Sequence, residues 1–372
     1  MKKVKLGEVA TFINGYAFKP QDWSTEGKEI IRIQNLTKTS KEINYYSGKI
    51  DKKYIVETGD ILISWSGTLG VFQWYGKTAV LNQHIFKAVF DKLDINKSYF
   101  KYVVEKGLQD AVKNTHGSTM KHLTKKYFDN IIVSYRSLKE QQKISRKLDL
   151  LCELISMRQE QLEELNLLVK SRFNEMFGGN KQFESIDNLF DIIDGDRGKN
   201  YPKSDELFDE EYCLFLNTKN VTKNGFSFIT NQFITETKDK LLRKGKLERY
   251  DIVLTTRGTV GNVAYYDESI KYKHLRINSG MVILRPKKPN LNQKFIIHVL
   301  RNNNYSRVIS GSAQPQLPIT KLKKILLPLP PLSLQNEFTD FVAQVDKSQL
   351  AIQKSLEELE TLKKSLMQEY FG

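Results

Sequence analysis

The chain has 372 residues, and its 40% hydrophobic and 11% aromatic content suffices for globular cores and excludes disorder, because disordered chains are poor in aromatic side chains. Lysine and arginine number 58 against 43 aspartates and glutamates, so the formal net charge is +15, which suits a polyanion such as nucleic acid. No apolar run reaches the roughly 18 residues of a membrane span, no apolar signal core follows Met1, and the two cysteines (Cys152 and Cys213) form no CxxC motif. The sequence predicts a cytoplasmic protein without membrane association, disulfide framework or structural zinc site.

The first half of the chain begins with short β-branched and aromatic runs, typical of strands, and ends in helical periodicity. Ser137 followed by Glu140 fits a capping box, which marks the start of a long helix. We predict strands at 30–33 and 60–64, a helix at 97–113, a strand at 131–133 and a long helix from about Leu138 to Phe177.

The second half repeats this layout. We predict a strand at 251–255, a helix at 292–309, a strand at 325–327 and a second long helix that starts after Pro331 and runs to about Phe371. Proline stops the preceding strand, and neither long helix contains an internal proline or glycine.

An internal repeat is the strongest signal in the sequence. Residues 170–178 return as residues 364–372, and the same offset of 194 relates Gln141 to Gln335. Residues 59–70 match 250–261, residues 12–15 match 192–195, and Asn82 matches Asn278, with drifting offsets. The frame is thus shared while the residues between its elements differ. The repeat is either a duplicated scaffold whose halves do the same job, or two copies of one reader tuned to different targets.

The two long helices carry apolar residues at alternating steps of three and four, which indicates a coiled-coil seam. Arg158, Arg172, Gln349 and Lys363 interrupt this seam and either set its register or contact a partner. We predict that the helices, each roughly 60 Å long, run antiparallel and hold the globular regions at opposite ends of a rod. The seam residues are Leu148, Leu151, Ile155, Leu162, Leu165, Val342, Val345, Ile352, Leu356 and Leu359.

The sequence lacks the motifs that are typical of nucleotide binding, adenine methylation and metal binding. Residues 70–78 resemble a phosphate loop but have five residues between the glycines where the motif requires four. The sequence contains no GxGxxG, no Asn/Asp-Pro-Pro-Tyr/Phe of adenine methyltransferases and no HExxH among its five histidines. We therefore predict no catalytic residue and no metal ligand, which disfavours a nucleotide-hydrolysing or nuclease enzyme. No RNP-like aromatic motif or GXXG loop supports RNA binding.

The ordered set of motifs, present twice, resembles the specificity (S) subunit of type I restriction–modification systems. It comprises a strand leading to Gly-Thr-x-Gly (67–70 and 258–261), Gly-Ser motifs at 117–123 and 311–317, and the segment 328–335 with its weaker partner 134–141. The first half departs from the pattern at Met120 and Lys121, where the second has Gln314 and Pro315, and it lacks the prolines before its helix.

The resemblance implies an α+β fold with two tandem α/β target recognition domains separated by two long helices that pair as an antiparallel coiled coil with a pseudo-twofold repeat. The implied boundaries are 1–137 and 179–331 for the recognition domains, 138–178 for the central spacer helix and 332–372 for the C-terminal one. Double-stranded DNA and two adenine-methylating modification subunits are the implied partners, with a restriction subunit optional. S-adenosylmethionine, ATP and magnesium would belong to those partners and not to this chain.

Candidate DNA contacts follow from side-chain chemistry within this frame. Arg257 can fork onto guanine or phosphate, Gln314 and Gln316 can pair with adenine edges or bond the backbone of a proline-rich turn, and lysines neutralise phosphate. The remaining candidates are Lys113, Lys121, Lys125, Lys126, Lys271, Lys273, Arg276 and Arg307. Tight turns are predicted at Gly67, Thr68, Gly70, Gly258, Thr259 and Gly261.

The alternative is a coiled-coil scaffold protein without a role in DNA binding. It accounts for the long helices, but it leaves the divergence of two basic globular regions on one frame without a reason.

Overall fold

The computed structural model describes residues 2–114, 124–287, 291–311 and 315–372. The chain divides into two compact units: unit 1 comprises Met1–Leu162 with Ala351–Gly372, and unit 2 comprises Glu163–Leu350. Both divisions fall inside long helices. The boundaries predicted for the recognition domains and spacer helices stay a prediction.

Unit 1 is built from short strands and helices and from parts of both long helices. Its elements are β1 (Lys2–Lys5), α1 (Leu6–Val9), β2 (Thr11–Asn14), β3 (Lys28–Ile31), α2 (Ile33–Leu36), β4 (Tyr45–Tyr46), β5 (Ile55–Val56), β6 (Ile61–Ser64), β7 (Gly70–Gln73), β8 (Ala79–Leu81), β9 (Ile85–Val89), α3 (Lys97–Asn114), α4 (Lys125–Asp129), β10 (Ile132–Tyr135) and the start of α5 (Leu138–Phe177).

Unit 2 has a similar arrangement. Its elements are β11 (Phe183–Ser185), α6 (Ile186–Leu189), β12 (Phe190–Asp194), β13 (Cys213–Leu216), β14 (Val221–Thr222), β15 (Gly225–Phe226), β16 (Phe233–Ile234), α7 (Glu236–Leu241), β17 (Ile252–Thr255), β18 (Val263–Tyr265), β19 (Leu275–Ile277), β20 (Met281–Pro286), α8 (Gln293–Asn302), α9 (Ile319–Leu322), β21 (Leu326–Pro328) and the start of α10 (Leu332–Phe371).

The sheets show that the sequence repeat is a structural repeat. An antiparallel sheet in the order β2-β9-β6-β7 in unit 1 corresponds to β12-β20-β17-β18 in unit 2. A parallel pair, β3 with β8, corresponds to β13 with β19, and the pair β1 with β10 corresponds to β11 with β21. The predicted α+β fold with an internal repeat is confirmed.

The central strand of each large sheet is buried on both faces. In β6, Ile61 and Ile63 join the core cluster that contains α3, while Leu62 points into a second cluster with residues of β3 and β8. In β17, Ile252 and Leu254 likewise face one cluster and Val253 faces another. A strand covered on both faces needs apolar residues at successive positions, which explains the uninterrupted apolar runs that led us to predict these strands.

The long helices run antiparallel within each unit, as predicted. In unit 1, Arg136, which precedes α5, donates a hydrogen bond of 3.2 Å to the carbonyl of Tyr370 near the end of α10. In unit 2, Arg172 near the end of α5 forms an ion pair of 2.8 Å with Glu337 near the start of α10. The capping box is also present, since Ser137 and Glu140 exchange hydrogen bonds between side chain and backbone.

The seam residues are all buried or partly buried. Of the residues that interrupt the seam, Gln349 donates to Asn166 at 3.0 Å on the facing helix, Lys363 lies 3.7 Å from Glu105 of α3, and Arg158 contacts Gln161 on its own helix. Of these contacts, the Gln349 hydrogen bond and the Arg172 ion pair join the two long helices and fix their register in unit 2.

Two predicted elements end earlier than expected. The helix predicted at 292–309 ends at Asn302, because Asn302, Asn303 and Asn304 favour turn conformations and the hydroxyl of Tyr305 donates to the carbonyl of Leu300. The strand predicted at 30–33 ends at Ile31, and α2 follows at once. Among the described residues, no helix is long and apolar enough to cross a membrane, and no group of three or more His, Cys, Asp or Glu could hold a metal ion.

Candidate nucleic-acid interface

One end of the large sheet in unit 1 gathers three loops. In the antiparallel register, Asn14 lies opposite Phe86, and Ser64 lies opposite both Ile85 and Gly70. Strand β2 therefore ends where β9 and β7 begin and where β6 ends. We call this end, formed by Asn14, residues 65–69 and residues 82–84, the turn end of unit 1.

Unit 2 has the same convergence. Asp194 lies opposite Val282, and Thr255 lies opposite Met281. Asp194, residues 256–260 and residues 278–280 form the turn end of unit 2.

The two turn ends share a set of framework contacts. The hydroxyls of Ser64 and Thr255 donate to the carbonyls of Thr68 and Thr259 across the Gly-Thr turns. A backbone hydrogen bond then ties each turn to the loop before the next strand of the sheet. In unit 1 the N–H of Trp65 donates to the carbonyl of His84 (3.4 Å), before β9, and in unit 2 the N–H of Thr256 donates to the carbonyl of Gly280 (2.8 Å), before β20. The same framework contacts therefore form in both units, although unit 1 has Trp65 and His84 where unit 2 has Thr256 and Gly280.

Glycine is required beside each turn end. A Cβ atom on Gly15 would lie 2.0 Å from the carbonyl oxygen of Asn82, and one on Gly195 would lie 2.1 Å from that of Asn278. These contacts explain why the sequence repeat keeps a glycine at this position in each half. Neither glycine was among the predicted site residues, although both appeared in the repeat.

The predicted turn residues lie at these ends. Gly67 and Gly258 have φ angles of 67° and 71°, in the left-handed region that favours glycine, and a Cβ on either would meet open space. Thr68 and Thr259 are exposed and provide the accepting carbonyls. Gly70 begins β7, and Gly261, with φ 96°, lies against the ring of Tyr305.

Arg257 lies in the turn end of unit 2 and is partly buried. Its backbone N–H donates to the carbonyl of Gly280 at 3.2 Å, and its backbone pairs with Gln316 in an isolated bridge. Its Nε atom is buried without a hydrogen-bond partner among the described residues. The structure therefore brings together two of the predicted DNA contacts, Arg257 and Gln316.

Other cations lie close to this end. Thr218 lies against Gly280, and the next residue, Lys219, is exposed. A groove of about 630 Å³ is lined by Lys219, Lys223, Thr259 and Pro315, among others.

Two exposed arginines also lie near the turn end of unit 2. Arg307 is exposed on the 3-10 helix whose Tyr305 packs against Gly261. The exposed Arg197 forms an ion pair with Asp194 and donates to the carbonyl of Ser279. The sequence analysis missed Arg197 and Lys219, and only their position in the repeat could have identified them.

Arg276 is a correction to the predicted DNA contacts. It is only 4% exposed, and its guanidinium donates to the Asp239 carboxylate at 2.7 Å and to the carbonyls of Asp239 and Lys244. A guanidinium that is buried and bonded in this way has no surface for a phosphate. Its role is to pair with the buried Asp239.

Lys271 and Lys273 lie away from the turn end. Strand β18 leads away from it, and β19 returns to it at Asn278, so the two lysines precede β19 at the opposite end of the sheet. Both are exposed, and the carbonyl of Lys273 accepts from the hydroxyl of Tyr266. The structure does not bring them together with Arg257.

The candidates in the first half lie mostly elsewhere. Lys125 and Lys126 are exposed on α4, where Lys125 pairs with Asp129 at 2.8 Å and lies near Thr11 at the start of β2. Lys113 belongs to α3, but its side chain, like Lys121 and Gln314, lies outside the described residues.

The turn end of unit 1 carries side chains that the sequence analysis missed. The indole N–H of Trp65 donates to Oδ1 of Asn14 at 3.1 Å, and the ring lies edge-on to His84 with centroids 5.4 Å apart. The amide nitrogen of Gln83 lies 3.0 Å from Nε2 of His84. Asn14 and Trp65 are 51 residues apart, so no local motif could have shown this cluster.

Comparison with known proteins covers nearly all of the chain. The family model for the type I restriction modification DNA specificity domain matches residues 1–167 and 180–362. The EcoBI type I restriction enzyme specificity subunit of Escherichia coli is 23% identical over 413 residues, covering 99% of this chain and 85% of the relative. The MjaVIII type I specificity subunit of Methanocaldococcus jannaschii is 23% identical over 347 residues, covering 85% and 79%.

Solved structures share the fold. The S subunit of the type I restriction–modification system of M. genitalium aligns with a TM-score of 0.56 at 15% identity over 100% of this chain and 96% of that one. A chain from a structural study of complex assembly and conformational transition of the type I R-M system aligns with a TM-score of 0.63 at 16% identity, covering 99% and 97%.

The fold defines a duplicated protein in which two sheet-based units each include parts of two antiparallel helices. The chain belongs to the type I restriction–modification DNA specificity family, as a specificity subunit that carries the family's domain twice.

Proposed function

We propose that this specificity subunit reads a bipartite, asymmetric DNA target, with each unit reading one half-site, and that it has no catalytic activity of its own. The observation that carries the proposal is the contrast between the two turn ends. The framework is the same, but Asn14, Ser66 and Gln83 in unit 1 correspond to Asp194, Arg257 and Ser279 in unit 2. Two readers on one framework with different side chains would recognise different sequences.

The charge of the chain supports DNA as the target. Clustered cations gain affinity for a duplex by releasing counterions from its phosphates. In unit 2 the exposed Arg197, Lys219 and Arg307 surround the turn end, where they would contact phosphates, while Arg257 would contact a base. A scaffold without a role in DNA binding finds no support in the family match.

The long helices would set the gap between the half-sites and dock the modification subunits. Outside the seam, α5 exposes large apolar residues at Leu150, Leu154, Met157 and Leu168, of which Leu150, Leu154 and Met157 are spaced by four and three. A helix pair that buries only its seam leaves this second stripe in water, and the stripe suits a further amphipathic helix. We assign that helix to the modification subunits.

Catalysis would then belong to the partners. Two modification subunits would supply S-adenosylmethionine and methylate adenine, and an optional restriction subunit would use ATP and magnesium. This chain would bring recognition alone.

The test is a map of methylated adenines across the genome of the source strain, with and without this gene. We expect one bipartite motif to lose methylation in the deletion strain, because no other subunit would direct the methyltransferase to that motif. Co-purification of a methyltransferase subunit with the tagged chain is the companion measurement. Unchanged methylation together with no co-purified methyltransferase would contradict the proposal.

A further inference from the structure

The turn end of unit 1 displays side chains that the framework does not need. In unit 2 the same turn is closed by the bond from Thr256 to Gly280, with only a serine and a glycine at positions 279 and 280. Unit 1 has Gln83 and His84 at the corresponding positions and closes its turn in the same way. The amide and the imidazole are therefore not required for the fold of this end.

The four side chains of this cluster are arranged so that two amides are held in place. Trp65 stacks on the buried Phe86 with ring centroids 5.6 Å apart, which fixes the indole. Its N–H then binds Oδ1 of Asn14, which orients the exposed amide of that residue. His84, edge-on to the same indole, has its Nε2 beside the amide of Gln83.

The chemistry of the cluster differs from that of unit 2. A carboxamide offers a donor and an acceptor side by side, which matches N7 and the 6-amino group of adenine in the major groove. Arginine in the same framework, as at Arg257, matches the two acceptors of guanine. The duplicated framework thus carries amide chemistry in one unit and guanidinium chemistry in the other.

We propose that Asn14 and Gln83 form a base-reading site of unit 1 that takes an A·T pair in the major groove of DNA, with Trp65 and His84 as positioning residues. The proposal rests on the proposed function, since it assigns to unit 1 the side chains that read its half-site. A held amide loses little rotamer freedom on binding, which makes discrimination by these two residues effective.

Unit 2 supplies substitutions that the framework is known to accept. Gln83→Ser and Asn14→Asp place in unit 1 the residues that unit 2 carries at the corresponding positions. The carboxylate of Asn14→Asp can still accept from Trp65 but has no donor, so it matches the amino group of cytosine in place of adenine. Gln142→Ala, at an exposed glutamine on α5, is the matched control.

The experiment replaces the gene in the source strain with each variant and maps methylated adenines. We expect Gln83→Ser to relax one A·T position in one half-site, with discrimination at that position falling on the order of tenfold to a hundredfold. Asn14→Asp should shift preference at one position from A·T toward C·G. The other half-site should remain unchanged, which also shows that the variant complex folds and assembles. Trp65→Phe, which keeps an aromatic ring but removes the indole N–H, should relax the same position as Asn14→Asp.

Two results would overturn the inference and leave the proposed function intact. One is an unchanged motif in both Gln83→Ser and Asn14→Asp. The other is a uniform loss of methylation over both half-sites with no relaxed position, which would indicate a phosphate-binding or folding role. If the wild-type gene directs no bipartite motif at all, the proposed function itself fails.

Discussion

Units 1 and 2 carry the same framework, but their surfaces have different chemistry. In unit 1, Gly15 is followed by Tyr16, whose ring contacts Phe18 and Tyr54 with centroids 5.0 and 5.6 Å apart. In unit 2, Gly195 is followed by the buried Asp196, which accepts backbone hydrogen bonds from Gly198 and Arg243. One loop is thus built on aromatic contacts and the other on a carboxylate that binds N–H groups.

The interiors differ as well as the surfaces. The parallel pair of unit 1 has Val80 where that of unit 2 has Arg276, and both side chains are buried. The apolar residue needs no partner, whereas the arginine needs Asp239. The comparison shows that the repeat conserves backbone contacts such as those of Gly15, Ser64 and Gln141, and that side chains outside them were free to diverge in both core and surface.

The largest expected effect comes from breaking the buried Arg276–Asp239 ion pair of unit 2, where the described part of unit 1 has the apolar Val80. Arg276→Ala should lower the stability of unit 2 by about 3–5 kcal/mol, because it leaves the carboxylate of Asp239 buried with Lys246 as its one remaining cationic partner among the described residues. Hydrogen exchange of the β13 and β19 amides measures the loss, and unit 1 should keep its protection. The double variant Arg276→Val, Asp239→Leu, which places the valine of unit 1 at 276 and replaces the carboxylate by an apolar side chain, should recover much of the stability. Recovery no better than the single variant would contradict the ion-pair account.

The same ion pair predicts a dependence on pH. Burial alone would raise the pKa of the Asp239 carboxyl, but the hydrogen bonds from Lys246 and Arg276 outweigh burial and hold the pKa below its usual range. A carboxyl with a lowered pKa in the folded state stabilises the protein above its unfolded pKa of about 4, and this stability is lost as the pH falls further. The difference between wild type and Arg276→Ala should therefore shrink below pH 4.

An intermediate loss of stability is expected at two glutamines that make equivalent hydrogen bonds, one in each unit. The buried Gln141 accepts from the N–H of Asn96 (2.8 Å) and donates to the carbonyl of Arg136 (2.8 Å). Gln335 makes the equivalent bonds to Asn292 (3.2 Å) and Pro330 (2.7 Å). Replacing either by alanine should cost about 1–3 kcal/mol, because buried backbone groups lose their partners.

Local hydrogen exchange distinguishes the two glutamine variants. Gln141→Ala should expose amides of unit 1 only, and Gln335→Ala amides of unit 2 only. The exposed Gln142→Ala should stay within about 0.5 kcal/mol of wild type. A large effect in one unit and none in the other would show that the two junctions are not equivalent.

The smallest effect is expected at Arg257, where the change concerns recognition and not stability. Arg257→Ala should change the free energy of unfolding by no more than about 0.5 kcal/mol. It should relax one position of the half-site read by unit 2, with a loss of about 1 kcal/mol of discrimination against the wrong base. Methylation of duplexes with single-base changes by the assembled complex measures it. Lys271→Ala, at the opposite end of the sheet, is the control. A uniform loss over all sequences would make Arg257 a phosphate contact.

Sequence analysis predicted the features that depend on period and repetition. The repeat, the two long helices and the Ser137 capping box each leave a sequence pattern, and the structure has all three. The position of Arg276 could not be predicted in this way, because its buried partner Asp239 is 37 residues away on α7. The location of Lys271 and Lys273 depends on which end of the sheet a loop occupies, and the sequence alone does not show this.

The division of the chain between the units has a consequence for the order of synthesis. Unit 2 is one continuous stretch, whereas the core of unit 1 includes Met367 and Phe371 of α10, packed with residues of the first half such as Tyr99. A ribosome adding about 5–20 residues per second reaches residue 351 roughly 10–40 s after residue 162. During that interval the apolar surface that receives the end of α10 is uncovered. The unit made first is therefore the unit finished last, because the core of unit 1 is complete only when the end of α10 has been made.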